Sequence, residues 1–439
     1  MMTEAVRTEA GRPSAIWSAL TDPAARIRNA DWLAGLIAVL LPWSTTGVGI
    51  AAVLWLIALA PTVEPKALWQ SIKRPVSALP LAFVALVVVG LVWSDAPWHD
   101  KSHQLGQASK LLLLPLLLYH FERSSRGVWI FVAFLISCLL VAIASSLTTI
   151  DPDLSLKLYF SARGSFTPTS GVSVRNYIDQ GHEFSLCAVA LAYPVVASWR
   201  EGRTGRALLL VAIALVFVAN MIFVITSRTA LVTMPIMLAI FLLLHVRWQV
   251  AAAVLCALAL LVAGAWFASP HLRTTAGKVF VDYQQTTEQN NESGMGSRLI
   301  YWGKSLKFFA DAPVIGHGTG ATKSEFEKVR GDGVGARGQV VSDPHNQTLN
   351  VAVQWGAVGV ILLYAMWIAH LLLFRGEGLA SWIGFLVVIQ NMLTSVLNSH
   401  LFDFTEGWIY VLGVGIAGGM ALTQRTSPPA AAPGGSGSA

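Results

Sequence analysis

Apolar residues along this chain form long continuous stretches and do not alternate with polar residues. An α-helix needs about 17 to 25 apolar residues to cross a hydrocarbon layer of about 30 Å. About twelve such stretches are present, at approximately 30–42, 46–60, 76–92, 105–121, 128–150, 181–199, 207–225, 229–245, 250–268, 345–374, 379–398 and 406–422. Because membrane β-barrels alternate with a period of two, the pattern predicts an all-α polytopic membrane protein with about 12 transmembrane helices.

The composition agrees with this class. Residues of the AVILMFWYC set make up 54% of the 439 positions, and charged residues only 12%, whereas soluble domains carry about 25% charged residues. These values exclude a disordered chain, a collagen, a secreted disulfide scaffold and a nucleic-acid binder. Cys138, Cys187 and Cys256 lie inside apolar stretches, which indicates packing and favours neither disulfides nor a cysteine metal site.

Positive charge is concentrated in every second short connection. Lys73 with Arg74, and Arg200 with Arg203 and Arg206, are examples, whereas the alternate short connections carry almost no Lys or Arg. The positive-inside rule therefore predicts that both termini are cytoplasmic. The N-terminal stretch has no apolar core followed by a small-residue cleavage site, so we do not expect a removable signal peptide.

The spans and connections divide the chain into five regions. A helix of amphipathic type is predicted in the largest outer loop, where Leu299, Trp302, Leu306 and Phe309 recur at helical spacing and would face the membrane. The regions are a cytoplasmic tail (1–29), nine transmembrane helices with an outer segment at 151–180 (30–268), the large outer loop (269–344), three transmembrane helices (345–422) and a flexible tail (423–439).

Several arginines break the charge pattern because they fall on the outer side. An unpaired guanidinium beside hydrocarbon is costly, and Arg binds phosphate through two parallel hydrogen bonds. The alternative is that each arginine reaches lipid phosphates or pairs with a nearby carboxylate. We expect an anionic, pyrophosphate-like group to be bound by Arg228, Arg298, Arg163 and Arg175.

The sequence Asp343-Pro344-His345-Asn346 predicts a helix start, with Asp as N-cap and Pro at the first helical position. His345 would then lie in the first turn, where the helix dipole favours the neutral imidazole, which is a base. Ala352, Gly356 and Gly359 would continue the same helix face, leaving a groove for another helix or a lipid chain. The alternative role for His345 is a hydrogen bond at the interface.

The sequence resembles the bacterial O-antigen ligase family, within the superfamily that also contains O-antigen polymerases and protein O-oligosaccharyltransferases. The resemblance covers about residues 105–422. The matching motifs are Ser227-Arg228-Thr229, Arg298-Leu299-Ile300-Tyr301-Trp302, the glycine-rich stretch from Pro313 to Gly320, and His345-Asn346, separated by nine residues from Gly356-Ala357-Val358-Gly359.

This resemblance implies transfer of O-antigen polysaccharide from undecaprenyl pyrophosphate to a lipid A-core hydroxyl. The reaction would take place at the periplasmic face of the bacterial inner membrane, with a fold similar to metal-independent, inverting GT-C glycosyltransferases, so neither a metal nor another cofactor is expected. The implied catalytic base is His345. Arg228 and Arg298 would hold the pyrophosphate, and Arg163, Arg175, Asn346 and Asp403 are further expected substrate-binding residues.

Two groups of carboxylates leave alternatives open. Asp151-Pro152-Asp153 is similar to the Asp-x-Asp metal sites of other GT-C enzymes, but a turn explains the same residues. Asp403 and Glu406 could orient His345 or contact sugar, or they could cap the last helix.

Other functions share some of these features. An O-antigen polymerase and a protein O-oligosaccharyltransferase would use the same donor site with a different acceptor. A lipid-linked glycan transporter is the alternative outside enzymes. Transporters usually place ionisable residues or broken helices at mid-membrane; the sequence instead indicates charges collected at the outer face.

Overall fold

The computed structural model describes residues 22–151, 153, 171–225, 227–268, 273, 277, 286, 290, 294–330 and 335–426. Within these residues the chain is helical and contains no β-strand. Each of the twelve predicted apolar stretches coincides largely with helix. The all-α class is therefore confirmed.

The helices are labelled in chain order. The first half contains α1 (Pro23–Leu40), α2 (Thr45–Leu59), a 3₁₀ turn (Ala60–Thr62), α3 (Pro65–Ile72), α4 (Pro75–Val89), α5 (Trp98–Ser109), a 3₁₀ turn (Lys110–Leu112), α6 (Leu113–Phe121), α7 (Gly127–Ile150), α8 (Tyr177–Ala190) and α9 (Ala192–Arg200). The second half contains α10 (Thr204–Phe223), α11 (Arg228–His245), α12 (Trp248–Ala268), α13 (Gly294–Asp311), α14 (Ala321–Lys328), α15 (Gly335–Gly338), α16 (Gln347–Leu373), α17 (Leu379–Thr394) and α18 (Phe404–Thr426).

Among the described residues, five helices are long and apolar enough to cross a membrane. These are Thr45–Thr62, Gly127–Ile150, Thr204–Phe223, Gln347–Leu373 and Phe404–Arg425. Helices α3 and α4 would add a sixth crossing, although their axes bend by 81° at the junction. The multi-pass character is therefore supported, whereas the predicted number of about 12 transmembrane helices is not confirmed.

Two predicted spans are interrupted. The stretch 105–121 is divided by the 3₁₀ turn at Lys110, whose amino group donates to the carbonyl oxygen of Phe402 at 2.9 Å and also to that of Asp403. The stretch 181–199 restarts as α9 at Ala192, because Pro194 has no N–H to bond to the carbonyl four residues earlier. Buried polar anchoring and proline thus shorten helices that hydropathy alone predicts as continuous.

The last helix, α18, forms the centre of the bundle and is almost entirely buried. It packs against α6 and α17. A Cβ atom at Gly415 would lie 2.5 Å from the Cβ of Leu117, and one at Gly418 would lie 2.4 Å from a methyl group of Leu118. Small residues therefore allow close approach of α6 to the middle of α18.

Helix α16 is broken at Trp355 and Gly356, so the predicted continuous face from His345 to Gly359 is wrong. The backbone at Trp355 has φ −130° and ψ 15°, and that at Gly356 has φ 60° and ψ −155°. A Cβ at position 356 would lie 2.4 Å from the carbonyl of Val314. Only glycine fits both the conformation and the space.

The glycine-rich stretch after α13 fills this break. The N–H of Ala357 donates to the carbonyl of Pro313 at 2.8 Å, and the N–H of Gly318 donates to the carbonyl of Gln354 at 2.8 Å. In a membrane, unpaired backbone groups are costly because no water is available to bind them. The motif Pro313–Gly320 therefore joins α13 to the two halves of α16.

Replacing Gly356 by alanine should destabilise the protein, since the added Cβ meets the Val314 carbonyl and the positive φ is unfavourable. We expect a loss of about 1–3 kcal/mol from backbone strain, measured as a lower thermal unfolding temperature in detergent. Gly303→Ala is the matched control, because a Cβ there meets nothing within 4 Å. An equal, small effect of both substitutions would contradict the proposed tight insertion.

Candidate functional site

His345 lies just before α16, and the predicted helix start at Asp343 is wrong. The helix begins at Gln347, and Asn346 is the N-cap. The side chain of Asp343 accepts a hydrogen bond from the backbone N–H of His345 at 2.8 Å, which forms an Asx turn. His345 therefore adopts a left-handed backbone with φ 56° outside the helix, and the argument from a first-turn position no longer applies to it.

The imidazole of His345 is oriented by two side chains. Its Nδ1 lies 2.7 Å from Oδ1 of Asn398, and Nδ2 of Asn398 donates to Oδ2 of Asp403 at 2.8 Å. With this amide orientation the carbonyl oxygen can only accept, so Nδ1 carries the proton. In the neutral ring, Nε2 then has a free lone pair, which is the arrangement that a general base requires.

The amphipathic helix predicted in the outer loop is α13. Its buried face, including Tyr301 and Phe308, packs against Phe326 and Val353, whereas Leu299 and Leu306 are exposed. The ring of Tyr301 lies 6.3 Å from that of His345. The next residue, Trp302, also links α13 to the histidine loop, since its Nε1 donates to the carbonyl of Pro344 at 3.1 Å.

Arg298 lies one turn before Tyr301 on α13. The Arg298 side chain is partly buried and interacts within the protein. Its predicted contact with substrate stays a prediction.

Arg228 is the first residue of α11, directly after the N-cap Ser227. A Cβ at Gly181 would lie 2.5 Å from the Cβ of Ser227, so this end of α11 packs tightly on α8 beside His182. The side chain of Arg228 and the whole of Arg163 lie outside the described residues. Phosphate binding by these two arginines therefore stays a prediction.

Two other predicted substrate-binding residues have partners within the protein. Nε of Arg175 lies 3.1 Å from the carboxylate of Asp179, and its guanidinium lies 5.0 Å from the centre of the Phe404 ring. Asn346 caps α16 through its side-chain oxygen and donates to the carbonyl of Val396 at 3.0 Å. These contacts give both residues a structural role, and substrate binding by them stays a prediction.

A cluster of buried ionisable groups lies behind Asp403. Nδ1 of His400 lies 3.2 Å from the Asp403 carboxylate and 3.6 Å from that of Glu406, and Glu406 is 2.8 Å from Nδ1 of His182. His182, His400 and Glu406 are all buried. Burial lowers the pKa of His400, but the carboxylates of Glu406 and Asp403 outweigh it and raise this pKa to about 10.

This cluster is also the group in the described part of the chain that could hold a metal ion. Ligand atoms of His182, His400 and Glu406 lie within 4.8 Å of one another, and Zn²⁺ accepts such donors. However, His400 already lies 3.2 Å from the carboxylate of Asp403 and 3.6 Å from that of Glu406. Ion pairing therefore accounts for the arrangement.

The other possible metal site in the sequence forms a turn. The N–H of Asp153 donates to the side chain of Asp151 at 3.0 Å, as the alternative explanation of Asp151-Pro152-Asp153 requires.

Sequence reasoning identified Asp403 and Glu406 but missed His182, His400 and Asn398. One feature could have revealed His182: four polar residues, Asp179, Gln180, His182 and Glu183, crowd the beginning of an apolar stretch. Ionisable residues in such positions are costly and usually functional. His400 and Asn398 lie in a short polar connection between two helices, where nothing in the sequence indicates their partners.

Two cavities meet at Asp403. A polar pocket of about 40 Å³ is lined by residues that include Asp100, His103, Gln104, Gln107, Asp343, Asn350, Gln354, Ser399, Phe402 and Asp403. A largely apolar groove of about 760 Å³ is lined by residues that include Ala52, Val53, Leu56, His103, Gln107, Lys110, Leu112, Leu116, Phe402, Asp403 and Trp408. The two cavities share His103, Gln107, Phe402 and Asp403. The carboxylate of Asp403, which orients His345 through Asn398, thus lies at the boundary between the polar pocket and the apolar groove.

Part of the chain matches the model of a known family. No curated protein matches it. The family model described as O-antigen ligase matches residues 187–364, a segment that contains Arg228, Arg298 and His345. The family implies glycosyl transfer of the O-antigen ligase or polymerase type. This match, which covers less than half of the chain, supports a relationship of residues 187–364 to the O-antigen ligase family.

Proposed function

We propose that the protein is an O-antigen ligase, which transfers O-antigen polysaccharide from undecaprenyl pyrophosphate to a lipid A-core sugar hydroxyl in lipopolysaccharide biosynthesis. The family match supports this class of reaction. The observation that carries the proposal is the His345 imidazole, whose Nδ1 is engaged by Asn398 and Asp403. The neutral ring can therefore accept a proton at Nε2.

In the proposed reaction, Nε2 of His345 removes the proton of the acceptor hydroxyl as its oxygen attacks the anomeric carbon of the donor. The new carbon–oxygen bond forms while the bond from this carbon to the pyrophosphate oxygen breaks, and the electron pair leaves with undecaprenyl pyrophosphate. Attack opposite the leaving group inverts the anomeric configuration. The Asn398–Asp403 pair stabilises the imidazolium that forms at His345, as the carboxylate does in hydrolase triads.

Part of the donor would lie in the apolar groove, which offers room for part of a polyprenyl chain. The polar pocket contains three carboxylates, those of Asp100, Asp343 and Asp403, beside one lysine, Lys323, a balance that does not favour a pyrophosphate there. We therefore assign the pyrophosphate to Arg228 and Arg298, whose guanidinium groups stabilise the departing negative charge. Because pyrophosphate is a good leaving group, this mechanism needs neither a general acid nor a metal ion.

The proposed placement is a GT-C-like fold in the bacterial inner membrane, with the active site on the periplasmic face and both termini in the cytoplasm. The alternation of Lys and Arg between short connections supports this orientation. The shorter apolar helices α11, α17 and the first part of α12 would bring the five longer spans to eight crossings, or to nine with the bent pair α3 and α4, of the about twelve proposed.

One alternative gains support from the structure. The break of α16 at Gly356 and the buried pair His120–Asp31, at 2.8 Å, are features of ion-coupled transporters, and the sequence did not reveal them. In vesicles that contain one lipid-linked donor, movement of the donor without acceptor would favour transport. Formation of glycosylated acceptor and free undecaprenyl pyrophosphate would favour the transferase.

The acceptor distinguishes the possible transferases. Purified protein is given one lipid-linked donor together with a lipid A-core, a second lipid-linked chain or a Ser/Thr-containing protein, each in a separate reaction. The ligase proposal requires transfer to the lipid A-core. Product formed only with the lipid-linked chain or only with the protein would assign a polymerase or a protein O-oligosaccharyltransferase instead.

His345→Ala should leave donor binding intact and lower the rate of transfer by about 10²- to 10⁴-fold, the usual contribution of a general base. The rate is measured as glycosylated lipid A-core per unit time, and binding with a labelled donor. His99→Ala, at an exposed position of α5, is the control and should keep normal transfer. Near-normal transfer by His345→Ala would remove His345 from the proposed role.

Arg228→Ala should weaken donor binding, because a charge-assisted contact worth about 1.5–3 kcal/mol is lost. The expected rise in the donor Kd is roughly 10- to 150-fold, measured with labelled lipid-linked glycan. Arg228→Lys should restore only part of the affinity, since an ammonium group cannot form the paired hydrogen bonds of a guanidinium. Full rescue by lysine, or an unchanged Kd in both variants, would contradict pyrophosphate binding by Arg228.

A further inference from the structure

The proposed reaction uses Asp403 through Asn398, but it leaves three buried groups behind Asp403 without a role. His400 lies in the same connection as Asp403 and is 2% exposed, whereas His182 belongs to α8 and Glu406 to α18. These side chains are in contact. The ring centres of His182 and His400 are 4.7 Å apart, and the ring planes are at right angles. Three separate segments thus place ionisable side chains directly behind the site.

Asp403 needs such support because its side chain is about one-third exposed, at 35%. It lines both cavities and has only one hydrogen bond to a neighbouring side chain in the described residues, from Asn398. A carboxylate in this position could rotate toward solvent and release the amide. The imidazole of His400, 3.2 Å from Oδ2 of Asp403, lies on the buried side and can hold the carboxylate by charge.

Glu406 contacts both histidines of this group. One of its oxygens lies 2.8 Å from His182 and the other lies 3.6 Å from His400. Glu406 thus favours the protonated form of His400, and His182 fixes the orientation of the Glu406 carboxylate. Because α18 is the most buried helix of the bundle, this anchor cannot move easily.

We propose that His182, His400 and Glu406 are a charged positioning cluster that holds Asp403 in place, so that Asn398 keeps His345 in its reactive orientation. This inference rests on the proposed function, and the three residues act through Asp403 without touching substrate. The order of contacts is His182, Glu406, His400, Asp403, Asn398 and His345.

The charges around His400 agree with this role. The groups that face it are His182 on α8, Glu406 on α18 and Asp403 in its own connection, and the amino group of Lys110 bonds the backbone of Asp403. The raised pKa of His400, about 10, makes it a cation at neutral pH. A divalent metal ion would compete with this cation and with Lys110, so a bound metal is the outcome that would exclude the cluster as described.

The first experiment tests the cluster without any assay of transfer. The pKa of His400 is about 10 in the folded protein and about 6.5 in an unfolded chain. Protonation therefore adds stability that is complete below about pH 6.5 and is lost as the pH rises through 10. The thermal unfolding temperatures of wild type and His400→Asn should differ most near pH 6 and converge toward pH 10.

The controls for this experiment are an exposed histidine and a metal analysis. His99→Asn should follow the wild-type curve at every pH. A constant difference between wild type and His400→Asn across the pH range would overturn the cationic role of His400. One equivalent of tightly bound metal in protein purified without a histidine tag, absent from His400→Asn, would also overturn the proposal. If His400→Asn does not fold, Glu406→Gln is measured instead. This substitution should shift the loss of the stabilisation by His400 to a lower pH. An unchanged pH dependence of the unfolding temperature would contradict the proposal.

The second experiment asks whether the cluster acts through Asp403. His400→Asn keeps an N–H near the position of Nδ1 but removes the charge, and should lower kcat about 10- to 100-fold with little change in KM, as expected when a group that orients a histidine is lost. In an Asp403→Asn background the same substitution should have almost no further effect. His120→Asn, a buried histidine that pairs with Asp31, is the matched control and should leave kcat normal.

The results separate the two proposals. If His345→Ala proves active, the proposed chemistry fails whatever the pH experiment shows. If His345 is required but His400→Asn and Asp403→Asn have independent, multiplying effects on kcat, the positioning role fails and the proposed function stands. A rise in KM alone for His400→Asn would likewise contradict positioning of the base.

Discussion

Backbone hydrogen bonding at the break in α16 is the constraint on which the geometry of the site depends. The carbonyl and N–H groups freed at Trp355 and Gly356 are bonded by the stretch that begins at Pro313. Because such groups cannot remain unpaired inside a bilayer, the connection after α13 is fixed to the bundle. This fixes α13 in turn, whose Tyr301 and Trp302 pack on the loop that carries His345. The glycine-rich stretch Pro313–Gly320 thus has a structural role that places the base.

Functional groups reach the site from helix ends and short connections, and their contacts are continuous. His345 precedes α16, Asn398 and Asp403 precede α18, and His182 lies near the start of α8. The side chains touch in series from the buried centre to the edge of the groove. Through this series of contacts, the packing of α18 affects the position of His345, although His345 is not part of α18.

The sequence predicted the helical class and the approximate limits of most helices, because hydropathy reports burial in a membrane or a core. It also identified His345, and it suggested that Asp403 orients it, which the structure explains through Asn398. It placed the start of α16 three residues too early, since Asp343 followed by proline satisfies the rules for an N-cap and the competing Asx turn depends on a tertiary bond to Ser399. The break at Gly356 could not be predicted, because its reason lies 40 residues earlier at Gly316 and its neighbours. The role of His182 and His400 depends on the contact between α8 and the connection from α17 to α18, which the sequence does not show.

The most direct test of the account is the protonation pattern of the His345 ring. Histidine-specific ¹⁵N spectra of the protein in lipid nanodiscs, with the His345 resonances assigned by their absence in His345→Ala, report which ring nitrogen carries hydrogen. At a pH where the ring is neutral, the account predicts a proton on Nδ1 and a free Nε2. A proton on Nε2, or an equal mixture of the two forms, would contradict the orientation by Asn398 and Asp403 on which the proposed chemistry rests.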